Sequence, residues 1–163
     1  MKFGFVIPFG DPPLVVELAQ EIEAAGWDAA FGWETIYFAD PWVMLGAMAV
    51  TTERVRLGTL LTPPSRRRPW KLASEVATVD RLSNGRAVLA VGLGALETGF
   101  AEVGEETGKK ERAALMDETL ELMDRFWSGE PFRHDGASFA STGPRIEANR
   151  SGRCSGRGRR SGP

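Results

Sequence analysis

Three short stretches combine ligand-holding residue types with positions at the ends of apolar runs. They are Trp33-Glu34-Thr35, Thr59-Leu60-Leu61-Thr62 and Gly92-Leu93-Gly94-Ala95-Leu96-Glu97. Hydroxyl and carboxylate groups hydrogen-bond ligands, and glycines let a ligand approach the backbone closely. We therefore expect any chemistry at residues 59–64 and 92–97, with the stretch at Glu34 as a further candidate.

Each candidate also has a structural interpretation. Glu34 suits acid–base catalysis if it is buried, but it could equally be a capping or surface carboxylate. Glu97 or Glu102 could hydrogen-bond a ligand, whereas the glycines before them could serve only the turn. The arginines at residues 66–68 could bind an anion in a bidentate manner or form a solvated loop. His134, in a turn-like Arg-His-Asp-Gly sequence, is expected to be exposed and structural.

The single histidine and the single cysteine, Cys154, exclude several kinds of site. No cluster has metal-ligand spacing, so we expect no metal, and one histidine in a turn cannot complete a Ser/His/Asp set. The lone cysteine rules out an internal disulfide and indicates a reducing compartment, so we expect a cytoplasmic protein. Residues 92–97 lack the third glycine of the dinucleotide fingerprint G-x-G-x-x-G, which argues against a Rossmann fold.

The composition is that of an ordinary globular domain. Of 163 residues, 42% are hydrophobic and 26% are charged, with a formal net charge of −2. This near-neutral balance argues against a nucleic-acid partner, and no apolar run reaches the roughly 20 residues that a membrane span needs. We therefore expect no nucleic-acid partner and no membrane span.

The elements that must position the candidate stretches centre on residues 55–94. The apolar runs VRLGTLL and AVLAVGLG enclose a helical segment in which Leu72, Val76 and Val79 share one face. This pattern predicts a βαβ unit, and therefore a parallel sheet. Because parallel sheets bind ligands beyond the carboxyl ends of their strands, both candidate stretches fall where a ligand would lie.

Two further units precede this one. Short apolar runs at residues 2–7 and 27–32 predict strands, and helices are expected after Asp11 and at Asp40-Pro41, where proline follows a capping residue. The face expected to be buried in the first helix comprises Leu14, Val15, Leu18, Ala19 and Ile22.

A fourth helix and a hairpin follow the central unit. Residues 111–127 predict an amphipathic helix, and residues 132–139 predict a hairpin around Asp135-Gly136. The helical face expected to be buried comprises Met116, Leu120, Met123 and Trp127. Four strands alternating with four helices predict an α/β fold of four βα units.

The remaining residues break this pattern. Residues 145–163 are dominated by Arg, Gly and Ser and have almost no apolar side chains to bury. We therefore expect a domain over residues 1–144 and a disordered tail over 145–163. Such an ending after a well-patterned domain also suggests an out-of-frame reading of GC-rich DNA.

Residues 2–139 resemble the bacterial luciferase-like oxidoreductases, which use reduced FMN or the deazaflavin coenzyme F-420. The likeness rests on the order and spacing of residues 40–94, of the segment GEETGKKERAALMDETLELMDRFWSGEPF and of the hairpin. The segment RRRPWKLASE most resembles the deazaflavin-dependent branch of this family. The resemblance implies a (β/α)₈ barrel, of which this chain has the first four units, a half-barrel.

The resemblance also implies roles for the candidate stretches. The family has a backbone bulge against the flavin ring, often with a non-proline cis peptide, and the matching positions here are Thr59, Leu60, Leu61 and Thr62. The resemblance implies that Gly92, Gly94 and Glu97 also hold the cofactor. Thr35 stands where many relatives have a histidine, so Glu34 would be the residue left for general acid–base catalysis. The substrate pocket would lie among Phe9, Trp33, Tyr37, Leu61 and Gly94.

The function implied is flavin- or deazaflavin-dependent hydride transfer, or monooxygenation of a small organic substrate. We expect impaired activity, because the family's later strands supply most of the cofactor phosphate site. Two alternatives remain open: a non-enzymatic half-barrel that self-associates, as a homodimer, through its open sheet edges, and an α/β domain that binds a phosphorylated ligand at the Gly92 loop.

Overall fold

Strands and helices alternate along the chain in a computed structural model that describes residues 1–8 and 10–143. The elements are β1 (Gly4–Val6), α1 (Pro12–Ala24), β2 (Ala29–Gly32), α2 (Pro41–Thr51), β3 (Arg56–Thr62), α3 (Pro69–Leu82), β4 (Ala87–Val91), α4 (Lys109–Ser128), β5 (Phe132–Asp135) and β6 (Ala140–Gly143). Short 3₁₀ turns lie at Pro64–Arg66, Leu96–Thr98 and Ala101–Val103. Phe9 and the predicted tail lie outside the described residues.

The first four strands form one parallel sheet in the order β1-β2-β3-β4. One row of residues in register across the sheet includes Ala30, Leu57 and Ala87, and these side chains belong to the buried core beneath the helices. The helical contributions to that core include Val15, Leu45, Met48, Leu72, Val76, Leu122 and Met123. The prediction of four βα units with a parallel sheet is therefore confirmed.

Helix α2 begins as the sequence predicts. The Asp40 Oδ1 atom accepts hydrogen bonds from the backbone N–H groups of Trp42, at 2.8 Å, and Val43, at 3.1 Å. Pro41 takes the first helical position, where its missing N–H costs nothing. Asp11 stands at the same position before α1, but its side chain makes no capping bond.

The buried faces of α1 and α4 differ in part from those predicted. In α1, Val15, Ala19 and Ile22 are buried, whereas Leu14 is 49% exposed. In α4 the buried side chains are Arg112, Thr119, Leu122, Met123 and Phe126, and Met116, Leu120 and Trp127 are only half-buried. The buried stripe of α4 is rotated because this helix packs against the hairpin as well as α3, with the Phe126 and Phe132 ring centroids 5.0 Å apart.

The hairpin of β5 and β6 has a longer loop than the predicted turn at Asp135-Gly136. Asp135 pairs with Ala140, so the loop spans residues 136–139. Glu118 on α4 accepts hydrogen bonds from the backbone N–H groups of Ser138, at 3.0 Å, and Phe139, at 2.9 Å. The Nε2 atom of His134 lies 3.0 Å from the same carboxylate. With a side chain only 9% exposed, His134 corrects the prediction of an exposed histidine.

The described part of the chain shows neither a membrane-spanning helix nor a cluster of metal-ligating side chains. None of its helices is both long and apolar enough to cross a membrane. The same residues contain no group of three or more His, Cys, Asp or Glu side chains placed to hold a metal ion.

Candidate active site

The end of β3 is irregular at the candidate stretch. The pairing of β3 with β4 shifts register between Thr59 and Thr62, and the Leu60–Leu61 peptide bond is cis. The Thr59 and Thr62 hydroxyls are fully buried and lie 2.7 Å apart, and the Trp42 indole N–H donates to Thr62 at 3.3 Å. These hydroxyls therefore anchor the bulge, while Leu60, 48% exposed, is the side chain that reaches the surface.

Glu34, just beyond β2, is held by two arginines from the loop after β3. Its Oε1 atom accepts from Arg66 Nη2 at 3.1 Å and from Arg67 Nε at 2.9 Å. The Glu34 side chain is 2% exposed, so it is neither a cap nor a surface carboxylate. Two of the three consecutive arginines, Arg66 and Arg67, are therefore hydrogen-bonded to Glu34. Only Arg68 is exposed, as a solvated loop residue would be.

Arg67 connects three carboxylates. Besides Glu34 it contacts Glu75 at 2.8 Å and Asp40 at 3.5 Å. Burial favours the neutral form of Arg67, but the attraction of Glu34 and Glu75 is stronger, so the pKa of Arg67 is raised. At Glu75 burial has the larger effect and raises its pKa in spite of Arg67 and Lys71. The network ties the segment before α3 to the end of β2, to the start of α2 and to α3 itself.

Phe100, which the sequence analysis did not select, stacks with two arginines. The guanidinium groups of Arg66 and Arg112 each lie 5.2 Å from the centroid of its fully buried ring. Arg112 also donates to the backbone carbonyls of Leu93, at 2.5 Å, and Gly94, at 3.1 Å. These contacts tie the loop after β4 to the loop after β3. No local pattern identifies Phe100, because its partners are distant in sequence.

The candidate glycines accommodate the protein's own side chains. A Cβ atom on Gly92 would lie 2.6 Å from Leu61, and one on Gly94, where φ is +76°, would lie 2.8 Å from Phe100. Glu97 is exposed in the turn Leu96–Thr98. The acidic side chain of this loop that lines an open cleft together with Glu34 is that of Glu105.

That cleft, of about 470 Å³, opens at the carboxyl end of the sheet. Its lining residues are Glu34, Thr35, Ile36, Phe38, Asp40, Pro41, Arg66, Arg67, Val103 and Glu105. Three buried polar atoms of these residues have no hydrogen-bond partner within the described chain: Glu34 Oε2, Thr35 Oγ1 and Arg66 Nη1. The arrangement can therefore offer both donors and acceptors to a bound ligand.

The other predicted site residues lie around this cleft rather than in its lining. Trp33, 48% exposed, borders a smaller cavity with Ile7 and Pro8. Tyr37 is 64% exposed, and its ring lies against Gly99, which brings the loops after β2 and β4 into contact. The structure thus brings Glu34 and Thr35 together with arginines that the sequence analysis had weighed as anion ligands.

Comparisons with known proteins find curated relatives over most of the described chain. An uncharacterized protein of Mycobacterium tuberculosis is 38% identical over 105 residues, covering 64% of this chain and 36% of the relative. An F-420-dependent glucose-6-phosphate dehydrogenase of Amycolatopsis mediterranei is 34% identical over 131 residues, covering 73% of this chain and 39% of the relative. The chain therefore spans less than half the length of these relatives.

Solved structures that resemble this chain are likewise matched over less than half of their own length. The coenzyme F-420-dependent tetrahydromethanopterin reductase of Methanopyrus kandleri is 25% identical, with a TM-score of 0.78 over 90% of this chain and 46% of that one. A monooxygenase of Streptomyces bottropensis is 28% identical, with a TM-score of 0.77 over 89% of this chain and 48% of that one. The half-barrel prediction is consistent with this coverage.

The family model described as luciferase-like monooxygenase matches residues 1–152. The match includes every strand and helix described above, as well as the cleft. This chain belongs to the luciferase-like monooxygenase family.

Proposed function

We propose that this chain is the cofactor-facing first half of an oxidoreductase that works with coenzyme F-420 or FMN. The observation that supports this most directly is the cleft at the carboxyl end of the sheet, which contains buried polar atoms without partners. Coenzyme F-420 is the first candidate, because it appears in the names of curated relatives at 34% identity. The expected setting is the cytoplasm, as the cysteine content indicates.

The residues of the cleft fit such a ligand in size and polarity. Its volume of about 470 Å³ lies within the range of about 300–1,000 Å³ that is usual for small-molecule pockets. When bound, a flavin or deazaflavin supplies hydride transfer, or the reaction of the reduced flavin with oxygen, while the protein orients and shields the ring.

Within this proposal each predicted residue keeps a role. Glu34 and Thr35 contact the reacting ligand, with the Glu34 carboxylate oriented by Arg66 and Arg67. Thr35 offers a hydroxyl that can donate or accept a hydrogen bond. Cofactor contacts are assigned to Leu60, Leu61, Gly92, Gly94 and Glu97, while the buried Thr59 and Thr62 hold the bulge that presents Leu60 to the cofactor. Substrate contacts are assigned to Phe9, Trp33 and Tyr37.

A binding titration tests the proposal. The purified chain is titrated with coenzyme F-420 and with FMN while cofactor fluorescence and molecular mass are followed together. Saturable binding of one of them at micromolar concentration is expected and would identify the cofactor. A soluble, folded chain that binds neither would contradict the proposal.

Self-association is a second candidate, and the sheet edges favour it. In the order β1-β2-β3-β4, the outer edges of β1 and β4 pair with no described strand. Phe3, just before β1, is 53% exposed, and Phe5, within β1, is 36% exposed. Open edges with apolar neighbours promote pairing between chains. A dimer that takes up no cofactor would support this alternative to enzymatic function.

A further inference from the structure

The Glu34–Arg66 ion pair leaves one polar atom of each side chain without a described partner. Glu34 Oε1 accepts from Arg66 Nη2 at 3.1 Å, whereas Glu34 Oε2 and Arg66 Nη1 are buried without a partner among the described residues. The two side chains are 2% and 8% exposed, and both line the cleft. Each side chain of this buried pair thus has one polar atom without a described partner, an acceptor on Glu34 and a donor on Arg66.

The charges around the cleft disfavour a simple ion at this place. An anion bound to Arg66 would also face the carboxylates of Glu34, Asp40 and Glu105. A cation bound to Glu34 would meet the guanidinium groups of Arg66 and Arg67. Neither charge is matched, because three carboxylates and two guanidinium groups line the same cleft. A neutral group that both donates and accepts avoids either repulsion.

We propose that this pair binds the –NH–CO– edge of a neutral cyclic imide or amide. The ligand N–H would donate to Glu34 Oε2, and the adjacent carbonyl would accept from Arg66 Nη1. Thr35, which also lines the cleft, has a further buried hydroxyl without a described partner, and Ser65 Oγ, next to Arg66 in the chain, is likewise buried without one. The inference rests on the proposed function in placing a ligand in this cleft. Its source is either the pyrimidine edge of the cofactor ring or an amide-bearing substrate.

The test uses ligand pairs that differ by one methyl group on nitrogen. The full chain is titrated by calorimetry with lumiflavin and 3-methyllumiflavin, and by ligand-observed NMR with succinimide and N-methylsuccinimide. We expect N-methylation to weaken binding at least 10-fold. We also expect Glu34→Gln to weaken binding of the unmethylated ligands about 10-fold. Glu17→Gln, which removes an exposed charge on α1 outside the cleft, should change binding less than 2-fold.

The outcomes separate this inference from the proposed function. Lumiflavin binding that is indifferent to N-methylation would overturn the inference and leave the proposed function in place. Selective succinimide binding without flavin binding would support the inference, assign the edge to a substrate and contradict the proposed function. Competition by inorganic phosphate would overturn the inference in favour of an anion site, and no binding of any ligand would overturn both. The methylated ligands keep the test valid even if Glu34→Gln fails to fold.

Discussion

Arg67 is the residue on which the geometry of the cleft most depends. It contacts Glu34, Glu75 and Asp40, which belong to three different parts of the chain. Because the Glu34 carboxylate is 2% exposed, it relies on its arginine partners rather than on water. A change at Arg67 should therefore affect stability as well as ligand binding.

We predict that Arg67→Ala lowers the free energy of unfolding by about 3 kcal/mol, since removing one partner leaves a buried charge uncompensated. Arg66 remains bonded to Glu34, which places the effect near the lower end of the range for broken buried pairs. Urea unfolding followed by circular dichroism measures the change. Arg68→Ala is the matched control, and as an exposed position it should change stability by no more than about 0.5 kcal/mol. Equal effects of the two variants would refute the prediction.

Glu118 gives the hairpin a dependence on pH. Burial disfavours its ionised form, but hydrogen bonds from His134 and from the N–H groups of Phe139 and Ser138 outweigh burial and lower its pKa from the ordinary 4.5. A carboxylate whose pKa is lowered in the folded state stabilises the fold above its unfolded-state pKa. That contribution is lost as the pH falls through the folded-state value.

We predict that Glu118→Gln costs about 1.5 kcal/mol of stability at pH 7, the usual contribution of hydrogen bonds to a charged group. The difference from the unchanged protein should shrink as the pH falls below the ordinary carboxyl pKa of 4.5. Unfolding curves at a series of pH values measure this difference. Asp117→Asn, at an exposed neighbouring position, should show no such trend. A Glu118→Gln deficit that is the same at acidic and neutral pH would count against the assignment.

At the scale of elements, two glycines have opposite expected effects. Gly58 lies in β3, and a Cβ atom there would overlap the carbonyl oxygen of Val88 in the neighbouring strand β4. Gly46 lies inside α2, where a Cβ atom would meet Leu82 at an ordinary contact distance of 4.0 Å. The sheet pairing therefore requires a glycine, whereas the helix does not.

We predict that Gly58→Ala destabilises the protein by about 2–3 kcal/mol, because β3 and β4 must move apart to admit the methyl group. Gly46→Ala should stabilise it by about 0.5–1 kcal/mol, since glycine is a poor residue for a helix interior. Thermal and urea unfolding of both variants measure the changes. A neutral Gly58→Ala would show that the β3–β4 pairing is looser than described.

At the scale of the whole molecule, the open face of the sheet governs association. Val6, Phe31, Gly58 and Val88 are in register across the four strands, and they alternate with the row that faces the helices. Val6, Phe31 and Val88 are half-buried. An apolar row of this kind, between two open strand edges, offers a surface that another chain can cover.

We predict that the chain associates as its concentration rises and that Val88→Lys weakens this association at least 10-fold, because a charge on the open face must be desolvated when that face is covered. Sedimentation velocity over a range of concentrations measures the effect. Val43→Lys is the control, since Val43 is 74% exposed on the outer side of α2. A chain that stays monomeric at every concentration would refute both the prediction and the self-association alternative.

The succession of elements could be predicted from the sequence alone. The apolar runs of β3 and β4, the Asp40-Pro41 helix start and the periodicity of α3 are local patterns, and local patterns determine strands, helices and their order. The parallel sheet follows from that order, because successive βα units have few other ways to pack. The irregular end of β3 was expected only through the family resemblance.

The interior of the candidate site was decided by tertiary structure. The bonds from Arg66 and Arg67 to Glu34 cross more than 30 residues of chain, and Phe100 contacts arginines from two other segments. Such contacts leave no periodic trace in the sequence. For the same reason the exposure of Leu14 and the burial of His134 were predicted wrongly: the elements that pack beside a residue decide its burial. The sequence by itself determined which elements form and predicted the end of the sheet at which a ligand would lie, and only the folded chain decided which charged groups meet there.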